Sequence, residues 1–502
     1  MHMTRQLNEF CVGAFRIALL FISCGLVHGQ NPQDLNNALT AVLKQAGFTG
    51  SIQATLEPRL GRPLNPQLAN LGRLLWFDKI HALHSDNTCA GCHSPTNGFG
   101  DSQSIAIGIQ NNNIVGHNRN GPRNQRRTPA VINVAFFPGL MWNSRFFAPS
   151  GNPFDNSKGF TFPPPEGTTR FPPNDRIVTH LLIAQGQLPP TEMTEVAGFT
   201  GTAGTIDPVF DQFDDGKGSP VPPPDSSGFR DEPIRQAVLA RLNATPAYRQ
   251  LFGDLFPAVA AGGPIDFNMF GQAIAEFEFT LVFADAPIDR FARGDPNAMS
   301  DQQKQGALIF FGKGRCVQCH AVSGSSNEMF SDFRMHVIGV PQVAPAFGVG
   351  KGNVIFDGPE TNEDFGLEQV SGDPADRYKF RTSPLRNAAV QAAFFHNGAF
   401  RSLDDAIRHH LDVFQSALQY DPKSAGLDPD LRRTGPIQPV LMRIDPLLAV
   451  PIQLSPDEFQ NLVAFVRDGL LDERVNRQNL CKLVPDTVPS GMTMIRFQEC
   501  SQ

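Results

Sequence analysis

Tyrosine and tryptophan are scarce in this sequence: three Tyr (Tyr248, Tyr378, Tyr420) and two Trp (Trp76, Trp142) stand among 502 residues that include 41 Phe. Few aromatic side chains are therefore available for redox work. Charge is also thin, at 18% of residues, and the 49 acidic side chains outnumber the 42 basic ones. A net charge of −7 argues against nucleic acid as a partner, because neutralising phosphates requires a basic surface. No apolar run reaches the ~20 residues that span a bilayer. The nearest candidate, residues 17–27, follows Arg5 and Arg16 and precedes the small Gly29. Its length and position predict a cleaved export signal over residues 1–29, with acylation of Cys24 as the second reading. The length suggests about two to four domains, and 45 Gly with 42 Pro point to a folded, loop-rich protein.

Cysteine carries most of the functional information. Of eight Cys, Cys11 and Cys24 fall in the expected signal. Four others form one pattern twice, Cys89-Ala90-Gly91-Cys92-His93 and Cys316-Val317-Gln318-Cys319-His320. C-x-x-C-H is the attachment signature of c-type haem. Two thiols one helical turn apart reach the two vinyl groups of one porphyrin, and the adjacent His supplies an iron ligand. The competing readings are a chance match, a zinc site or a disulfide redox motif; a single zinc built from both copies would leave the identical His placement unexplained. Two covalently bound haem c groups are expected, with Cys89, Cys92, His93, Cys316, Cys319 and His320 holding them. Cys481 and Cys500 are expected to close a structural disulfide, worth ~3 kcal/mol in the chain-entropy model.

Each motif follows an apolar stretch with helical spacing, residues 71–77 and 306–311. Helices are also expected over 233–252, 268–283, 403–411 and 456–470, the last entered through Ser455 with Glu458 three residues on. Residues 146–173 and 200–230, rich in Gly, Pro, Ser and Asp, read as surface insertions. The expected architecture is mainly α: two cytochrome c-like haem domains from a duplication, with loop-rich insertions. The boundaries are a signal at 1–29, an N-terminal haem domain at 30–232, a C-terminal haem domain at 233–480 and a disulfide-closed tail at 481–502.

From about residue 71 to 471 the chain resembles the bacterial di-haem cytochrome c peroxidases and their relative, the di-haem enzyme of methylamine dehydrogenase maturation. The resemblance is carried by residues 71–78, both haem motifs, Arg127-Thr128-Pro129 through Asn133, Trp142 to Arg145, Glu192-Met193 and residues 380–398. It implies a low-potential N-terminal haem that reacts with hydrogen peroxide and a C-terminal haem that receives and stores an electron. By the same resemblance His93 and His320 are the proximal ligands, and His117 is the distal His that closes the N-terminal haem at rest. Glu192 is the acid over the peroxide-binding face, able to shuttle a proton between the two peroxide oxygens. Trp142 is the aromatic between the haems. Arg386 and Arg381 pair with haem propionates.

The sixth ligand of the C-terminal haem departs from the family. Fourteen residues after the His of His396-Asn397-Gly398, where the peroxidases have Met and the maturation enzyme Tyr, stands His410. A bis-His haem follows, of lower potential than a His/Met one. His409 is then expected to face solvent, and Met335 is the substitute ligand of lower rank. Arg127 stands where the family's interdomain calcium site has Asn, which puts bound calcium in doubt. The leading functional reading is an exported, periplasmic peroxidase that reduces hydrogen peroxide with electrons from a small cytochrome c or cupredoxin. It has no membrane span, and a homodimer is open by resemblance. The alternatives are oxidation of a protein or organic substrate, and a non-catalytic di-haem electron carrier.

Overall fold

The computed structural model describes residues 32–206, 208–344 and 362–500. The expected signal, with Cys11 and Cys24, lies outside the described residues. Helices and irregular loops dominate. The strands are two-residue pairings: Ile114–Val115 runs parallel to Arg496–Phe497, and three antiparallel pairs join Gly139–Leu140 to Phe146–Phe147, Met335–His336 to Phe380–Arg381, and Val343–Ala344 to Arg433–Thr434.

Two helix crossings organise the chain. The helix Pro66–Phe77, entered through Asn65, whose side chain accepts from Gln67 N and Leu68 N, packs on Phe267–Phe279. At their contact a Cβ on Gly72 would overlap the carbonyl oxygen of Ala273 and press on Phe277. Only glycine permits this approach. The helix Asp301–Phe311 packs on Pro456–Ala464 in the same way, with Gly306 against the carbonyl of Asn461 and the side chain of Phe465. The Ser455–Glu458 capping box forms as the sequence predicts. The apolar segment 233–252 is broken at Thr245-Pro246 into Asp231–Ala244 and Pro246–Gly253, because proline cannot continue the hydrogen-bond ladder.

The cores divide the chain differently from the expected boundary at 232/233. Helix Phe267–Phe279 and residues 234–284 pack into the first core with Leu71, Leu75 and Trp76. The leading helix Pro32–Ala46 gives Leu39 and Leu43 to the second core, beside Phe310 and Phe465. The tail returns to the first core through Leu480, Val488, Ile495 and Phe497, held by the disulfide Cys481–Cys500. Helix pairing across the chain, rather than sequence order, sets this division. Residues 146–173 are likewise no surface insertion, since Phe146, Phe160, Phe162 and Phe171 are buried in the first core. Residues 200–230 are mostly exposed, with Phe213 and Val221 as buried anchors. No helix among the described residues is long and apolar enough to cross a membrane.

Candidate functional site

Each crossing backs a cavity that contains one Cys-x-x-Cys-His motif. Cys89 and Cys92 begin and end one short helical turn, and His93 caps it. The four motif cysteines are free thiols, part-buried and lining their cavities. His93 Nδ1 lies 3.1 Å from the carbonyl of Phe99, and His320 Nδ1 lies 2.9 Å from that of Phe330. A ring that donates its Nδ1–H to a carbonyl keeps the Nε2 lone pair for a metal. Burial lowers both imidazoles to about 4, so both are neutral at pH 7, the form that ligates. Four residues beyond each crossing glycine an aromatic ring meets the imidazole: Trp76 lies 5.6 Å from His93 and Phe310 6.4 Å from His320.

The first cavity has no imidazole other than His93 among its described lining residues. His117, expected as its distal ligand, is exposed and outside the cavity. Its loop is fixed by Arg119, buried with its guanidinium on the carbonyls of Ile107 and Ile114 and on Asn87 Oδ1, and by the strand pairing of Ile114–Val115 with the tail. That anchorage turns His117 to solvent. Glu192 does line the cavity, and its Oε1 accepts a 2.8 Å hydrogen bond from Arg145 Nη2. Glu195 and Glu278 line it too. Burial, reinforced by the charge of Glu192 and opposed by Arg145, raises Glu195 to about 7. The sequence reading missed both acids. Glu195 follows Glu192 by three residues, in the single turn Met193–Ala197 that Glu192 precedes, a proximity visible in the sequence.

In the second cavity His410 faces His320, with ring centroids 6.1 Å apart and planes inclined at 63°. His410 Nδ1 is 2.8 Å from the carbonyl of Ala406, and the ring stacks on Phe395. His409 does not face solvent as expected. It is buried, with Nε2 2.8 Å from the carbonyl of Ile338 and Nδ1 3.0 Å from Ser416 Oγ, so both nitrogens are engaged in the core. Met335 pairs in a strand with Arg381 and lines neither cavity.

Trp142 lines both cavities and donates its Nε1–H to the carbonyl of Arg127 at 2.6 Å. Arg127 and Arg381 also line both. Among the described residues Arg381 bonds only carbonyls, those of Met141 and Thr382 at 3.1 Å each. Arg127 sits among the carbonyls of Asp101 and Gln103 and the side-chain oxygen of Gln391, a nest its guanidinium fills as a cation would. Neither forms an ion pair among the described residues; burial lowers both to about 10, opposed at Arg127 by the charge of nearby Asp101, whose carboxylate is taken by backbone N–H groups. Buried cations without counter-ions are costly, so the wall between the cavities calls for anionic groups, as the propionates of a haem would be. Arg386 does not fit that role. Its guanidinium is taken up by Asp289 through bonds of 2.7 and 2.8 Å, and this buried pair ties the chain near Leu385 to the second core.

Thiol pairs, neutral imidazoles and uncompensated guanidiniums thus match the three chemical faces of haem: vinyls, iron and propionates. The comparisons agree. A sequence model of the family described as "Di-haem cytochrome c peroxidase" matches residues 66–297. The chain is 26% identical over 349 residues to methylamine utilization protein MauG of Methylorubrum extorquens, covering 70% of each chain. It is also 26% identical over 424 residues to the cytochrome-c peroxidase IdrP1 of Pseudomonas sp. strain SCT, covering 80% of this chain and 81% of that one. Among solved structures, a MauG-like protein associated with microbial copper homeostasis shares the fold at a TM-score of 0.52 and 20% identity, over 82% of this chain and 91% of that one. The diheme peroxidase BthA of Burkholderia thailandensis shares it at 0.50 and 18%, over 86% and 91%. With the motif cysteines, the paired cavities and these relatives in agreement, the chain is similar to the di-haem cytochrome c peroxidases and is a peroxidase-like oxidoreductase.

Proposed function

We propose that this chain is an exported di-haem c-type peroxidase that reduces hydrogen peroxide to water, drawing electrons from a small cytochrome c or cupredoxin. Cys89 and Cys92 would tether the first haem and Cys316 and Cys319 the second, with His93 and His320 as proximal ligands and His410 as the second haem's sixth. The observation that carries this reading is an asymmetry. His320 and His410 face each other across the second cavity with ring centroids 6.1 Å apart, and both imidazoles would hold the second haem's iron. The first cavity offers one imidazole and, instead of a second, Glu192 held by Arg145. One iron would be closed and the other open to an oxidant. The paired glycines at the two crossings further support an ancestral duplication.

Haem, when bound, supplies the iron that takes the peroxide and passes electrons to it. The rest falls to the chain. Converting one hydrogen peroxide to two waters consumes two electrons and two protons. Glu192, oriented by Arg145, would take the proton from one peroxide oxygen and return it to the other, general acid–base work worth typically 10²–10⁴-fold. Trp142, shared by both cavities, places a polarisable ring on the path between them. Arg127 and Arg381 would hold propionates from both sides of the same wall.

Absorption and EPR spectra of the ferric and half-reduced holoprotein, before and after peroxide, test this. The expected result is one low-spin haem that ignores peroxide and one that responds to it. Two persistently low-spin haems with no response would replace the peroxidase by a di-haem electron carrier.

A further inference from the structure

The two crossings put the halves of the molecule in register. Gly72 meets Ala273 and Phe277, and Gly306 meets Asn461 and Phe465. In that register Ile274 answers to Leu462 and Glu278 to Val466, and all four line their own cavities. A carboxyl therefore stands against the first cavity where the second presents a valine. Glu278 is 2% exposed, and its Oε2 has no hydrogen-bond partner. No ion pair reaches it among the described residues. Burial alone raises it to about 8.

The groups around Glu278 offer it no counter-ion. On the packed helix Pro66–Phe77 the one titratable group is Arg73, turned to the carbonyl of Leu483 and to Asn70. The helix Leu181–Gln185 and the turn Val134–Phe136 carry none. The adjoining His180 is spent between Leu182 N and the carbonyl of Ala135. On its own helix Glu276 is bound by Arg62. Of the groups sharing the cavity or its floor, His81 and His93 are neutral at pH 7, each lowered to about 4. Glu192 and Glu195 are acids. Arg123, Arg126 and Arg145 are held by acids of their own, and the Cys89 thiol, itself pushed up by burial and by the charge of Glu278, supplies no positive charge. An unpaired carboxylate in such a place ionises only when positive charge builds beside it.

We infer that Glu278 is the redox-linked proton site of the first haem, taking up one proton when that haem gains an electron and releasing it when the electron leaves. The inference rests on the two-haem reading above. In the ferric state the net positive ring favours the carboxylate, and reduction removes that charge and returns the carboxyl to its acid form. One electron from the donor protein and one proton from solvent enter together, and both are available to the peroxide that leaves as water. Val466 gives the second haem no such site.

Spectroelectrochemical titration of the holoprotein between pH 6 and 9 tests it, on material shown by pyridine haemochrome assay to carry two haems. The first haem's midpoint potential should fall as pH rises, approaching the one-proton, one-electron limit of 59 mV per tenfold change in proton activity. Glu278→Gln should flatten that slope and leave the second haem unchanged, and Val466→Glu should confer a slope on the second haem. If Glu278→Gln fails to load haem, the wild-type redox difference infrared spectrum decides: a protonated carboxyl band must grow on reduction. A flat wild-type potential, a slope that survives Glu278→Gln, or no carboxyl band overturns the inference with the peroxidase reading intact. Fewer than two haems would defeat that reading instead.

Discussion

Set side by side, the two halves share their framework and differ in what they aim at their cavities. Both cross a pair of helices at a glycine, both place an aromatic ring four residues further on against the motif histidine, and both fix that histidine's Nδ1 on a backbone carbonyl. The first then adds Glu192, Glu195, Glu278 and Arg145, groups that hold or move protons. The second adds a second imidazole and an apolar lining that includes Val466, Ile407 and Leu411. The shared framework would hold a porphyrin in each half, and the differing side chains would make one site handle peroxide and the other electrons.

The sharpest way to break this comparison is to change the second cavity's closing ligand. Axial ligands move haem potentials over about 0.8 V, and a thioether in place of imidazole favours the ferrous state. His410→Met should therefore raise the second haem's midpoint potential and leave the first's unchanged, as read by a redox titration with separate haem signals. An unchanged second potential would mean that His410 is not on the iron. Next in size is Glu192→Gln. Peroxide turnover should drop by about 10²–10⁴, while spectra of both haems and the donor-linked reduction of the second stay normal. Loss of both haem signals would instead make Glu192 a structural residue.

Much of the site was legible because it is encoded locally. The Cys-x-x-Cys-His spacing, the helix before each motif, the Ser455–Glu458 cap and the place of His410 all depend on residues within a few turns of one another. What escaped depends on partners far along the chain. Nothing near His117 announces that Arg119 will anchor the loop and turn the histidine outward. Arg386 and Arg381 look alike in sequence, and only Asp289, 97 residues from Arg386, takes one of them away from the cavity. Glu278 reads as one more acid on a helix until Phe267–Phe279 is laid against the first core. Residues 146–173 have a loop's composition, yet four of their six phenylalanines, Phe146, Phe160, Phe162 and Phe171, are buried in the first core.

The ion pair of Arg386 and Asp289 separates stability from chemistry. Both side chains are almost fully shielded from solvent, so Asp289→Ala leaves the buried guanidinium only the carbonyl of Glu328 and that residue's carboxylate at 3.9 Å. Breaking such a pair costs about 3–5 kcal/mol. Denaturant unfolding of the holoprotein should show that loss, whereas Arg381→Met, which removes an uncompensated cation from the wall between the cavities, should cost far less stability and act mainly on haem binding. Equal destabilisation by the two changes would mean that Arg381 has an acidic partner of its own.

The smallest effect tests whether the halves are held by one device. Gly72→Ala and Gly306→Ala each place a methyl group where the partner helix's carbonyl now lies, and neither position can be relieved by moving a side-chain tip, because the obstacle is backbone. Overpacking of this kind typically costs about 1–3 kcal/mol. The two variants should lose similar stability by denaturant unfolding. Their spectroscopic signatures should differ: separating Pro66–Phe77 from Phe267–Phe279 disturbs Trp76 against His93 and hence the first haem, while separating Asp301–Phe311 from Pro456–Ala464 disturbs Phe310 against His320 and hence the second. Two variants that perturb the same haem would show that the crossings, though alike in packing, do not each serve their own cavity.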